Sequence, residues 1–433
     1  MALLLCARAA CADHAPAPDD EPDSRFALHG QATYVEQETL GFAAPYSGPN
    51  SLTPNEGRES VDATLFLGAR LWSGAQAWIN PELDQGFGLD NTLGLAGFSS
   101  GAAYKVGRNQ PYLRLQRLFV RQTLNLGPAD ERSEATVNEL GEPISADRLV
   151  ITVGKISVTD LFDVNQYAHD PRNDFFNWAL TDAGTFDYAA DSWGYTVGAA
   201  AEAYHRDWAV RAGFFDLSDV PNSPRLEPGF HEFQLLLELE HRHQIGEAPG
   251  RLALTAFDTR ARMGVLDAAV ELAEQTGTPI DIAAVRSFRS RTGLSLNLEQ
   301  QLTPDLGLFA RAGKAGGDVE TYEFTDIDRT LSMGLSLAGS RWGRKDDAAG
   351  LGAVVNGISA ARERYLNAGG LGILVGDGRL PHPAPEEIIE LYYRLALAAW
   401  AACSFDFQWA NNPAYNADRG PVPIVAFRLH IQF

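Results

Sequence analysis

Cysteine is nearly absent from these 433 residues. Of the three, Cys6 and Cys11 fall in an N-terminal leader and Cys403 stands alone, so neither a disulfide framework nor a cysteine metal cluster can be built. Positive charge is scarce as well: 35 Lys and Arg against 56 Asp and Glu leave a net charge of −21. That balance argues against nucleic acid or an anionic membrane surface as a partner, and its ordinary meaning is a well-solvated acidic exterior. Long apolar runs are missing. The best candidate, Leu391 to Cys403, is short for a transmembrane helix and carries Arg394. If the chain sits in a membrane it therefore crosses as a closed barrel, because helices and closed barrels alone satisfy their backbone groups in lipid. Catalytic signatures are thin: nine histidines are scattered, no G-x-S-x-G occurs, and Gly154-Lys155 has no phosphate-cradling loop around it. His241 and His243 share one strand face, which is short of the ligand number a zinc site needs. No cofactor and no metal is expected, and no compositional break marks a linker.

Residues 1–12 read as a secretory signal peptide. Leu3, Leu4 and Leu5 form a short apolar core, and Ala10-Cys11-Ala12 is an A-x-A cleavage site before Asp13. The usual basic n-region is lacking, as in a leader truncated at its start. A lipoprotein reading through Cys11 fits less well, since Arg8 stands where a small residue is needed. Residues 13–25, rich in Pro, Ala and Asp, read as a flexible periplasmic tail. Residues 26–433 read as a single domain.

Within that domain, strand-like runs alternate with short turns and long loops. The expected strands are Phe26 to Glu38, Ser60 to Leu71, Ala75 to Asp84, Tyr112 to Leu126, Arg148 to Val158, Asp191 to Ala203, Trp208 to Leu217 and His231 to Arg242. Arg251 to Thr259, Phe288 to Leu302, Leu306 to Lys314, Arg329 to Ser340, Ala349 to Ala360, Glu387 to Ala398, Ala402 to Trp409 and Pro423 to Phe433 complete them. Val265 to Thr276 has a helical spacing of apolar residues and reads as a helix inside a loop. Pro128 to Ala146 breaks the plan, because it falls where a short turn is due.

The last strand has the clearest pattern. Val425, Phe427, Leu429, Ile431 and Phe433 share one face, and Ala426, Arg428, His430 and Gln432 the other. In the second strand Val61, Ala63, Leu65, Leu67, Ala69 and Leu71 oppose Asp62, Thr64, Phe66 and Arg70. In the eighth, Phe233, Leu235, Leu237 and Leu239 oppose Glu232, Gln234, Glu238 and Glu240. Such inward charges would cost several kcal/mol each in a dry core, a cost that a water-filled lumen removes. The closing strand with its terminal Phe433 resembles the C-terminal strand of bacterial outer-membrane barrels, which their assembly machinery recognises. An all-β transmembrane antiparallel barrel of about sixteen strands is the expected fold. A soluble sandwich, with its polar faces outside, is the alternative that alternation alone leaves open.

Several stretches carry a more specific likeness: Pro45-Tyr46-Ser47-Gly48-Pro49-Asn50-Ser51-Leu52, Asn80-Pro81-Glu82-Leu83-Asp84-Gln85-Gly86-Phe87-Gly88-Leu89, Gly97-Phe98 with Ala103-Tyr104-Lys105-Val106-Gly107, and Arg117-Leu118-Phe119-Val120-Arg121-Gln122-Thr123. Asn177-Trp178-Ala179-Leu180, Gly184-Thr185-Phe186-Asp187-Tyr188, Gly376-Asp377-Gly378, Pro385-Glu386-Glu387-Ile388-Ile389-Glu390 and Asn412-Pro413-Ala414-Tyr415-Asn416 follow in order. Together they resemble the carbohydrate-selective porin (OprB) family of bacterial outer membranes. The resemblance implies long extracellular loops folded into the lumen and passive uptake of mono- or small oligosaccharides. It also implies an outer-membrane location among lipid. Pro128 to Ala146 and Val265 to Asp281 depart from the family pattern, which leaves pore width open.

A sugar in a narrow channel exchanges hydration bonds for weak, repeated contacts, so planar donors, carboxylates and flat aromatic faces are wanted. The inward positions Arg70, Glu82, Asp84, Arg117, Arg121, Glu238, Glu240, Arg291 and Arg311 supply the charges, and Trp78 and Phe119 the rings. Arg394 and Arg428 fit wall-to-wall ion pairing better. Asp160, Asp163, Asp170, Asp174, Asp182 and Asp187 match no calcium loop and read as turn caps that solvate the third loop. Two other pore readings remain, a general or a cation-leaning one. A barrel hydrolase would need a serine and histidine at the outer rim, where His241 alone points outward. A soluble carbohydrate-binding β protein would need no detergent.

Overall fold

The computed structural model describes residues 24–103 and 106–433. The leader, with Cys6 and Cys11, and the tail up to residue 23 lie outside the described residues, as do Tyr104 and Lys105 of the second-loop motif. The first strands are β1 (Phe26–Thr39), β2 (Gly57–Trp72), β3 (Ala75–Gly86) and β4 (Arg108–Asn125), followed by a two-residue pair, β5 (Glu131–Arg132) and β6 (Pro143–Ile144). Then come β7 (Arg148–Ile156), β8 (Thr196–His205), β9 (Trp208–Asp216), β10 (Phe233–Ile245), β11 (Ala248–Gly264) and β12 (Arg286–Thr303). The chain finishes with β13 (Leu306–Ala315), β14 (Arg329–Ala338), β15 (Ala348–Gly357), β16 (Glu386–Ala398), β17 (Ala401–Asn411) and β18 (Val422–Gln432). All but β5 and β6 form one closed antiparallel barrel, so its sixteen strands match the expected number.

Closure depends on the ends of the described chain. β1 pairs with β18 from Gln31 opposite Gln432 to Thr39 opposite Ile424. Gly30 and Phe433 then exchange both backbone hydrogen bonds, at 2.7 and 2.9 Å. The Phe433 ring lies over Gly30, where a Cβ would collide with it.

The period-two pattern becomes two unlike surfaces. Leu65, Leu113, Leu118, Val153, Leu237, Leu294, Leu331, Leu351, Leu391 and Phe405 all point outward and are exposed, Leu113 by 72%. Asp62, Thr64, Glu82, Gln234, Glu238 and Arg428 point inward and are buried. An apolar band of that extent is a lipid-facing surface. No described helix is long and apolar enough to cross a membrane; the strands cross instead, and Leu391–Cys403 is simply β16 turning into β17. At the end of the short turns, Trp72, Trp208, Trp342 and Trp400 are exposed beside Phe26 and Phe433. They form an aromatic belt at one interface.

Several boundaries move for local reasons. The sixth strand begins at Thr196, not Asp191, because Asp191 accepts from the backbone N–H groups of Trp193 and Tyr195 and holds a turn there. The thirteenth ends at Gly357. Ser359 caps a helix, α3 (Ala360–Asn367), by accepting from Arg362 N at 3.1 Å. Two further helices are α1 (Trp178–Thr181) and α2 (Leu266–Thr276), the latter where a loop helix was expected.

In the turn between β14 and β15, Arg344 grips Asp347 through two bonds of 2.6 and 3.1 Å. That grip holds the Asp347 carboxyl below its ordinary 3.8, at about 2. A carboxylate with a depressed folded value contributes stability that is complete above the unfolded value and lost as pH falls through the folded one. The Asp347 contribution is therefore expected to fade between pH 3.8 and about 2. Acid unfolding of Asp347→Asn, followed by heat-modifiable migration, should lose that segment of the pH dependence.

Candidate functional site

The lumen of a barrel this wide would be open if nothing entered it. Residues 157–195 do. Their apolar side chains form a spine inside the barrel, with Trp178 stacked on Phe98 at 5.2 Å and Phe175 edge-on to Phe309 and Tyr392 at 5.2 and 4.9 Å. Wall side chains complete the loop's backbone bonds. Glu390 accepts from Phe176 N and Asn177 N at 2.6 and 2.9 Å, and Gln234 both accepts from Ala189 N and donates to Asp187 O. Two buried ion pairs fix the loop further: Arg311 with Asp163 at 3.2 Å and Arg291 with Asp187 at 3.0 Å. A buried charge needs such a partner, and each acid here supplies it.

Along β3, β4 and β7 the loop meets the wall through polar and aromatic side chains that keep part of their surface exposed. There β4 carries an irregularity: Asn80 pairs with Arg117 but Pro81 pairs with Leu115, so Gln116 is an extra residue opposite the Asn80–Pro81 step. Proline has no N–H for the ladder, and a bulge is how a strand accommodates that. Its effect is to put Gln116 and Arg117 on the same face. Inward positions therefore run Tyr112, Arg114 and Gln116 before the bulge and Arg117, Phe119 and Arg121 after it.

These side chains form a ladder of cations and rings. The Arg108 guanidinium lies 4.9 Å from the Tyr112 ring centroid, Arg114 lies 3.3 Å from that of Trp193, and Arg117 lies 5.1 Å from that of Tyr195. Trp193 donates its indole N–H to Tyr112 Oη at 2.9 Å. Nearer the turn end Arg148 lies 3.9 Å from the Tyr204 ring. Arg114, Arg117 and the cations near them are paired with acids. Asp191 accepts from Arg114 at 2.7 Å and Lys155 at 3.4 Å, and Asp160 from Arg117 at 2.8 and 2.5 Å. Glu139 accepts from Arg121 at 2.8 Å, Glu142 from Arg70 at 3.3 Å, and Asp62 from Arg172 at 3.2 Å. The six cations keep between 10% and 23% of their side chains exposed, while Asp191 and Asp62 are at 2%. Asp62 sits in the wall, Asp160 and Asp191 on the lumen loop and Glu139 and Glu142 on the β4–β7 connection, and Asp160 and Glu139 are as open as the arginines they bind, at 20% and 21%.

The residues expected to line the pore divide accordingly. Arg70 and Arg121 keep about a fifth of their side chains exposed, while Arg117 and Phe119 between them are buried. Glu82 accepts from Thr64 and from Gln116 at 3.1 Å, and it, Asp84 and Trp78 are buried in the wall, the indole lying across Gly68. Glu238, Glu240, Arg291 and Arg311, expected at the water, are instead buried to within 1%. Glu238 and Glu240 share Arg211 with Glu202, and Glu240 also binds Arg242 and Arg251, a wall network in which both glutamates are covered. Arg291 and Arg311 are covered by the loop they anchor.

Arg428 is likewise an anchor, donating to Pro171 O and Asp174 O at 2.6 and 3.0 Å. Arg394 caps a turn through Asp346 O. Among the loop aspartates, Asp160, Asp170 and Asp174 cap turns, whereas Asp163 and Asp187 are buried tethers and do not solvate the loop. Sequence reasoning missed Tyr112, Arg114, Lys155, Arg172, Asp191, Trp193 and Tyr195. The Asn-Pro step opposite the strand was the one signal for a bulge.

Comparison with known proteins bears on this geometry. The family description "Carbohydrate-selective porin, OprB family" matches residues 50–433. The chain belongs to the OprB family. Its barrel accordingly lies in the bacterial outer membrane, the short turns on the periplasmic side and the long loops outside. Transport, not catalysis, is the work of such a protein. The high-pH structure of Pseudomonas putida OprB superposes with a TM-score of 0.72 at 16% identity, covering 94% of both chains. The low-pH structure of the same protein gives 0.50 at 12% identity, covering 94% of this chain and 92% of that one. The outer membrane channel DcaP of Acinetobacter baumannii gives 0.52 at 8% identity, covering 97% of this chain and all of the other. At these identities the likeness is one of fold. A search of curated protein sequences finds no match.

Proposed function

We propose that this protein is a passive sugar channel, and that the solute moves along the ladder on β4. The observation that carries this reading is the alternation of guanidinium groups on β4 with the rings of Tyr112, Trp193 and Tyr195, in a seam between that strand and the lumen loop where the cations stay partly exposed. Sugar rings have apolar C–H faces that lie flat on aromatic rings, and hydroxyl edges that both donate and accept. An arginine has five N–H donors, and one carboxylate occupies at most two of them. Arg114 is held to Asp191 through one nitrogen and keeps a fifth of its side chain exposed. Contacts of this kind are individually weak and repeat over roughly 20 Å of strand, which suits conduction better than one tight site would. Arg70, Arg117 and Arg121 would serve as further donors, and Phe119 as apolar support beneath them.

The test is liposome swelling with purified, refolded protein across glucose, a disaccharide, an amino acid and a size-matched polyol. Faster influx of the sugars than of the matched solutes is the expected result. Equal influx would mean a general pore, and cation-biased leak without sugar preference would favour the acidic total over the ladder. Recognition of the β18 strand by barrel-assembly machinery is a separate part of the proposal, checked by the assembly yield of a Phe433→Ser variant in cells.

A further inference from the structure

The connection between β4 and β7 lies on the periplasmic side, where the other turns are short, yet it runs from Leu126 to Asp147. Its neck is closed by Leu126 N donating to Asp147 O at 2.8 Å, and by Asn125, which bonds to both Pro143 O and Ser145 N. Beyond the neck the β5–β6 pair and a Thr136–Glu139 bridge carry the segment back into the barrel. Its tip is seated on the inner wall. Gln76 donates to Leu140 O at 2.8 Å and accepts from Leu140 N at 2.8 Å, so a side-chain amide pairs with a peptide as a strand would. Asn80 donates to Asn138 at 2.8 Å, Arg121 binds Glu139 at 2.8 Å, and Arg70 binds Glu142 at 3.3 Å and Gly141 O at 3.1 Å. Val137 and Leu140 are buried to within 2%.

Asn80 stands five residues above the start of β3, roughly 15 Å along the strand. A segment that reaches it from the periplasmic mouth penetrates about half of a 25 Å apolar band. It also meets the ladder: Arg121, the innermost rung on β4, is bound to its tip.

We infer that residues 127–146 form a second constriction on the periplasmic side of the lumen, which sets the size of solute the channel releases. This rests on reading the barrel as an open sugar channel. Loop 157–195 narrows the lumen from the outer side, and the periplasmic segment narrows what remains, so a solute leaving the ladder passes between the Arg121–Glu139 and Arg70–Glu142 pairs and the opposite wall. The segment's two acids balance two wall arginines at this exit, Glu139 against Arg121 and Glu142 against Arg70. Without those acids the arginines are expected to favour anions there.

The experiment compares the unaltered protein with a variant whose residues 127–146 are replaced by a two-residue Asn-Gly turn, and with Glu139→Gln/Glu142→Gln. Folded barrel is first confirmed by heat-modifiable migration. Single-channel conductance in potassium chloride and liposome swelling with glucose and a trisaccharide are then measured. The turn variant is expected to conduct about twofold more or better and to admit the trisaccharide that the unaltered protein excludes. The double glutamine variant should keep the segment's hydrogen bonds but leave Arg70 and Arg121 uncompensated, moving ion preference toward anions by about threefold in the reversal-potential ratio.

Folded variants with unchanged conductance, unchanged size limit and unchanged ion preference would overturn the inference. If the turn variant does not fold, the ion preference of the double variant decides. Conductance in salt does not depend on sugar preference, so a channel that widens on deletion but shows no bias for sugars would sink the sugar reading alone.

Discussion

Arg311→Ala is expected to release the lumen loop and to raise single-channel conductance severalfold, with sugar preference lost and the barrel still folded. Arg311 donates four bonds to this loop, to Asp163 Oδ1 at 3.2 Å and to the carbonyls of Leu180, Asp163 and Ala168 at 2.8, 3.1 and 2.8 Å. Removing it leaves a fully buried Asp163 carboxylate with only Asn297 Nδ2 at 2.7 Å and Ala183 N at 2.6 Å. Breaking one side of a buried pair costs about 3–5 kcal/mol. A loss of that size shifts the docked fraction by more than about a hundredfold. The sixteen strands lose no ladder bond, so heat-modifiable migration should be retained.

The control is Asp163→Asn in the same background. Because it removes the uncompensated charge, it should return part of the low-conductance behaviour. If Arg311→Ala alone leaves conductance and selectivity unchanged, then the Phe175, Trp178 and Phe186 spine holds the loop without its tethers.

The second large effect concerns the ladder. Trp193→Ala should weaken sugar block of the ion current about fivefold, which corresponds to about 1 kcal/mol for one lost stacking partner. Salt conductance should change little, since the ring is apolar and the charges around it remain. Trp193→Phe keeps a flat face and should recover most of the affinity, although it gives up the 2.9 Å bond to Tyr112 Oη. Arg114→Ala would act differently. Asp191 would be left with Lys155 at 3.4 Å as its cation, so selectivity should move toward cations as well as sugar affinity falling. Equal sugar block in the unaltered protein and in both Trp193 variants would remove the ring from the sugar path.

Much of the barrel was legible because its signals are local. A strand's side chains alternate with a period of exactly two, so each run of leucines opposite acids and arginines declares its two faces without reference to any other segment. Sixteen such runs, the connections between them and the closing strand with Phe433 are properties of consecutive residues. The two faces of each strand could therefore be told apart from the sequence, and the likeness to outer-membrane barrels said which of them meets lipid.

What lay beyond the sequence was which inward charges meet water. Arg291 and Arg311 have the same pattern as Arg117, but a loop whose acids lie more than a hundred residues away covers them. Glu238 and Glu240 lie on an inward face too, yet Arg211 from the neighbouring strand binds both. Arg114 and Tyr112 had the opposite fault. Alternation counted back from Arg117 sends them to lipid, and the single extra residue opposite Pro81 turns them inward. The misfit at Pro128 to Ala146 was visible as an excess of length, but its direction was not, because Gln76, Asn80, Arg70 and Arg121 all come from other strands. Period and composition determined the barrel, since they act through neighbours in sequence; its lumen was decided by contacts between distant segments, where one bulge or one buried ion pair changes which side chain a solute can touch.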